Sequence, residues 1–78
     1  MESNASFREA FAKRVRARRK ELGLTVAKCA EDVGRTEAAW RQYERAESAP
    51  GFDVLRLMAP RLCMSIGALF GESSEGES

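Results

Sequence analysis

Gly23 and Gly34 each stand two positions ahead of a threonine, Thr25 and Thr36, and this punctuation limits the fold more than any other feature of the chain. Glycine readily ends a helix in the left-handed conformation, and a threonine hydroxyl caps the start of the next by accepting a backbone hydrogen bond. The chain is therefore cut into short helices. Phe7, Phe11, Val15 and Leu22 keep one helical stripe, which predicts a first helix over 7–22 with Ser6 as its cap. Val26, Cys29, Ala30 and Val33 predict a second over 26–33, and Ala39, Trp40 and Tyr43 a third over 37–45. Ala46 to Gly51 has loop composition. Phe52, Leu55, Met58, Ala59 and Leu62 resume the helical pattern in a fourth helix. Pro60 should stop or kink it near Ala59, because proline lacks an N–H and clashes with the preceding turn. Ser65 caps a last short helix over 66–70. The expectation is an all-α fold, a compact five-helix bundle over 7–70, with a flexible N-terminus at 1–6 and a disordered acidic tail at 71–78.

A chain of 78 residues holds one small domain and one core, which excludes a large enzyme. Its 44% hydrophobic and 32% charged content is that of a folded globular protein. No apolar run approaches the roughly 18 residues that cross a bilayer, and the charged first helix lacks the apolar centre of a signal peptide. A cytoplasmic protein with no membrane association is expected. Cys29 and Cys63 lack the short spacing of a zinc site, and there is no histidine to complete one. Both read as reduced, packed thiols, with no metal and no cofactor. The missing histidine also removes the commonest activating base, and no carboxylates or glycines cluster in a catalytic pattern. A non-enzyme is expected.

The net charge of +1 conceals a segregation. Between residues 8 and 20, Arg8, Lys13, Arg14, Arg16, Arg18, Arg19 and Lys20 oppose Glu9 alone, a balance of +6, whereas Glu72, Glu75 and Glu77 give the tail −3. A basic segment in a small domain fits a polyanion partner; it also fits a solvated helix face that keeps the protein soluble.

Residues 25–45 form two short helices joined by a glycine-containing turn, the arrangement of a helix-turn-helix. Around them run Arg14-Val15-Arg16, Leu22-Gly23-Leu24-Thr25, Ala30-Glu31-Asp32-Val33-Gly34, Tyr43-Glu44, Pro50 and Ser65-Ile66-Gly67-Ala68-Leu69-Phe70. Over about residues 11–70 this succession resembles the phage-repressor and Cro-like helix-turn-helix family, without a gap. The resemblance implies that the third helix enters the major groove of duplex DNA while the second crosses the backbone. Base contacts then fall to Glu37, Ala38, Arg41 and Gln42, each with a suitable partner: cytosine N4 for Glu37, a thymine methyl for Ala38, guanine for Arg41, adenine for Gln42. Phosphate contacts fall to Arg14, Arg18, Thr25, Lys28, Arg35, Thr36 and Arg45. Arg19 and Glu44 match an internal salt bridge that ties the first helix to the reader. Ile66, Leu69 and Phe70 match the segment that forms the dimer; burial in the core is the competing use for them. Trp40 and Tyr43 lie on the inward stripe and are expected to pack rather than stack on bases.

The chain departs from the family pattern in three places. Val26 replaces a glutamine whose amide helps fix a phosphate. Glu44-Arg45-Ala46-Glu47 replaces Glu-Asn-Gly-Lys, losing residues that favour positive φ, so a rebuilt loop is expected. Cys63 replaces a glycine and follows Pro60, so an altered route into the last helix is expected. The functional expectation is a sequence-specific transcriptional regulator that binds double-stranded DNA, a repressor acting as a homodimer on a palindromic operator. The alternative is a protein-binding module on the same fold, of the phage or toxin–antitoxin type, favoured by Val26, Glu37, Glu47 and the near-neutral net charge.

Overall fold

The computed structural model describes residues 4–71 of the chain. Its helices are α1 (Asn4–Glu21), α2 (Val26–Asp32), α3 (Glu37–Glu44), α4 (Phe52–Arg61) and α5 (Ile66–Leu69), and no strand occurs among the described residues. The all-α, five-helix expectation holds. The first helix begins at Asn4 instead of residue 7, so Ser6 lies inside it and not at its N-cap position. Neither glycine nor proline stands there to stop the helix from running back. Residues 1–3 and the tail from 72 onward, expected to be flexible and disordered, lie outside the described residues.

The first four helices end on the same turn. The residue after each C-cap takes positive φ: Gly23 (71°), Gly34 (71°), Ala46 (63°) and Cys63 (57°). In each case the next amide reaches back over the final turn: Leu24 to Arg19 O (3.0 Å), Arg35 to Ala30 O (2.8 Å), Glu47 to Gln42 O (2.9 Å) and Met64 to Ala59 O (2.9 Å). These bonds satisfy carbonyls that a helix end leaves open. The expected rebuilding after α3 and rerouting after α4 therefore do not occur. Alanine and cysteine adopt the conformation that glycine would take freely, at roughly 1–2 kcal/mol each. The next helix is then capped by a hydroxyl in three cases: Thr25 accepts from the Lys28 amide, Thr36 from Ala39 and Ser65 from Ala68.

Phe11, Val15, Cys29, Ala30, Val33, Trp40, Tyr43, Val54, Leu55, Met58, Ala59, Leu62 and Leu69 meet in one core. Trp40, Met58 and Leu62 are wholly excluded from solvent, each contributing roughly 1.5–3 kcal/mol from burial. The ends of the stripe predicted for α1 are exposed, at 51% for Phe7 and 37% for Leu22, the latter lying beyond the helix end at Glu21. Phe52 is exposed as well, standing at the first position of α4 outside the core. Pro60 does not stop α4 at Ala59, and the helix continues to Arg61. Pro60 sits in the last turn on the exposed side, and the carbonyl it leaves without a helical donor belongs to exposed Arg56, within reach of water. No helix of the described residues is long and apolar enough to cross a membrane.

The long α1 packs on α3 and α5, while α2 packs on α3 and α4. Near its start α1 meets α5 through Phe7 and Phe11, whose rings stack on Phe70 at 5.5 and 5.4 Å between centroids. Near its end it meets α3 through Arg19 and Glu44. That second junction sets the pose of the helix expected to read DNA.

Candidate nucleic-acid interface

The α3 helix is two-faced. Trp40 and Tyr43 are buried in edge-on contact, 6.2 Å between ring centroids, whereas Glu37, Ala38, Arg41 and Gln42 are all exposed. The expected base readers thus share the open side of one helix. Glu37 and Arg41 pair across one turn at 3.3 Å, and each remains about half exposed, so the pair is weak and can be exchanged for other partners.

The Arg19–Glu44 ion pair forms, with Nε donating to Oε2 at 2.6 Å and Nη2 to Oε1 at 3.1 Å. A third donor, missed in the sequence, converges on the same carboxylate: the indole Nε1 of Trp40 donates to Oε2 at 2.6 Å. The spacing of Trp40 and Glu44, one helical turn apart, was the available signal. Arg19 also donates to the Leu24 carbonyl at 3.0 Å, so it joins α1, the turn before α2 and α3. The hydrogen bonds it donates to Glu44 hold the Arg19 guanidinium above its ordinary pKa despite a burial that pushes the other way.

The expected phosphate ligands divide. Lys28, Arg35, Arg45 and the two caps Thr25 and Thr36 are exposed around α2 and α3. Lys28 has a loose pairing with Asp32 at 3.6 Å, and both threonine hydroxyls serve as caps. Arg14 and Arg18 have partners within the fold. Arg18 donates from Nε to the Leu62 carbonyl at 2.9 Å and from Nη1 to Glu21 at 2.8 Å, fastening α1 to the end of α4. Arg14 lies against Gly71 beyond α5, so closely that a Cβ there would stand 2.5 Å from Nη2.

Leu69 is corrected. It is wholly buried in the core and cannot reach a second copy, whereas Ile66 and Phe70 are half-buried at the edge of the core. The helical period turns Leu69 inward from Ser65-capped α5, and Phe70 is held by the rings of Phe7 and Phe11.

A cleft of about 280 Å³ separates the second half of α1 from the end of α3. Arg16, Arg19 and Lys20 line one wall, Arg41, Glu44 and Arg45 the other, and Val26 stands at the start of α2 between them. Arg16 and Lys20 entered the sequence reading only as part of the basic segment and the family pattern and were given no contact. Their spacings of three and one from Arg19, the residue matched to the internal salt bridge, could have placed them beside α3.

A helix-turn-helix domain family model matches residues 10–68. Among solved structures, this chain is similar to the P22 c2 repressor protein, solved in complex with synthetic operator 9T in the presence of Tl+. The two are 32% identical, with a TM-score of 0.77 over 81% of this chain and 96% of that one. No curated protein matches the chain.

Proposed function

Because the chain belongs to the helix-turn-helix domain family, we propose that it is a transcriptional regulator that binds double-stranded DNA in a sequence-specific manner. The observation that carries this reading is the open face of α3, where Glu37, Ala38, Arg41 and Gln42 stand clear of a buried Trp40 and Tyr43. A helix exposed along one side, with its pose fixed by Arg19 and Glu44, meets the requirement of major-groove reading. The 32% identity to a repressor solved on an operator supports the same conclusion. Gln42 pairs with adenine, Arg41 with guanine once it leaves Glu37, Glu37 with cytosine N4, and Ala38 touches a thymine methyl. Lys28, Arg35 and Arg45 take phosphates, together with Thr25 and Thr36 at the helix starts.

The regulator acts as a homodimer on a palindromic operator in the cytoplasm and represses by obstructing polymerase. A single reader helix spans only a few base pairs, so useful specificity needs two half-sites and a two-fold protein. Ile66 and Phe70 offer the partly open apolar surface for that contact. The test is alanine substitution scored on a set of single-base operator variants. Gln42→Ala should lose discrimination at one base position, worth about 1–3 kcal/mol, while Lys28→Ala should weaken every sequence alike. Uniform losses for both substitutions contradict the assignment of base readers.

A further inference from the structure

The cleft between α1 and α3 holds more positive charge than its surroundings neutralise. Five cationic side chains line it against one carboxylate, Glu44. That carboxylate is already consumed: both oxygens accept from Arg19, and Oε2 accepts from Trp40 as well. Arg41 has Glu37 as a partner, but among the described residues Arg16, Lys20 and Arg45 are in no ion pair. Arg16 and Lys20 also stand one turn apart on the same side of α1, a like-charge arrangement that disfavours the free helix slightly. An anion seated between the walls removes that repulsion.

Val26 gives the cleft its meaning. The side chain at this place contributes no donor, and Arg14 and Arg18, the cations of α1 first expected on phosphate, are engaged within the fold, Arg18 by the Leu62 carbonyl and Glu21 and Arg14 against Gly71. We propose that Arg16 and Lys20 of α1, facing Arg45 at the end of α3, form a phosphate-binding cleft that supplies the backbone contact Val26 cannot make. The inference rests on the duplex-binding reading and deepens it. The phosphate belongs to the DNA backbone, beside the groove that α3 occupies, so the cleft adds affinity for every duplex sequence and no base preference.

The test is a salt titration of binding to an operator duplex and to an unrelated duplex, using the folded full chain and its R16A, K20A and R16A/K20A variants, with K13A as the control. Each cleft substitution should weaken binding to both duplexes by the same factor and reduce the log–log salt slope by about 1. K13A should leave the ratio between duplexes and most of the slope intact. If the wild type prefers an operator but R16A/K20A retains its affinity and slope, the cleft proposal is overturned while the duplex-binding reading stands. If no duplex is preferred by the wild type, the reading itself fails. Inorganic tripolyphosphate serves as the second probe: displacement by duplex DNA supports the proposal, and tight binding that duplex does not disturb assigns the cleft to a free phosphate compound and overturns it.

Discussion

Replacing Glu44 with alanine removes the acceptor on which three donor groups converge, and its effect can be worked from the geometry. Trp40 is wholly buried, and without Glu44 its indole N–H has no partner, which costs about 1–3 kcal/mol. Arg19 keeps only the Leu24 carbonyl while its side chain is 13% exposed, so its charge is largely shielded from water. Breaking a fully buried pair costs about 3–5 kcal/mol and a surface pair at most about 1; this pair lies between. The two losses share one carboxylate and do not add, so a total of about 3 kcal/mol is expected for Glu44→Ala. Chains of this size rarely hold more than about 3–5 kcal/mol, and each kcal/mol moves Tm by about 4–8 °C, so the variant should melt at least about 12 °C lower. Glu44→Gln retains an oxygen for Trp40 and should lose about 1–2 kcal/mol. Urea unfolding followed by circular dichroism and by fluorescence of the single tryptophan measures both. A Glu44→Ala variant within about 0.5 kcal/mol of the parent would refute the reasoning.

Ala46 and Cys63 sit at φ of 63° and 57°, so Ala46→Gly and Cys63→Gly should each raise stability by about 0.5–1 kcal/mol, read as a higher urea midpoint; an unchanged or lower midpoint counts against the left-handed turns. Conversely, Gly34→Ala, at φ 71° with open space around it, should destabilise by about 1 kcal/mol through backbone strain alone. Cys63 is exposed and Cys29 buried, so a thiol reagent should modify one equivalent in the native protein and two in urea. Burial pushes the Cys29 thiol above its ordinary value of 9.0, so the folded state holds that proton more tightly. The resulting stability is complete below pH 9.0 and lost as pH rises through the folded value, which an alkaline series of urea melts detects.

The helix boundaries were legible because glycine and threonine mark them chemically. The Gly23/Thr25 and Gly34/Thr36 pairs lie at the helix ends, where the chain needs positive φ and then a hydroxyl cap. The turns at Ala46 and Cys63 were misread for the complementary reason. Residue preference pointed to a different path, but the core contacts of Tyr43 and Leu62 on one side and the back-reaching amides on the other hold the backbone left-handed against it. On α3, alternation of Trp40 and Tyr43 with polar neighbours was enough to identify the open face. On α1 it was not. A long helix carrying cations on every side does not reveal in sequence which of them meet α3, because that depends on the packing angle set by Arg19. Hence Arg16 and Lys20, which line the cleft beside α3, were not given a contact in the sequence reading. Leu69 was ambiguous between core and dimer because α5 is short enough for one side chain to serve only one of them.

Selection of the folded protein against a random duplex DNA library at about 150 mM salt tests the central claim most directly. Enrichment of a two-fold symmetric site, with half-sites centred about one helical turn apart, is the predicted result. A folded protein that enriches no sequence would contradict the account and would make Val26 and Glu47 marks of a surface built for another partner.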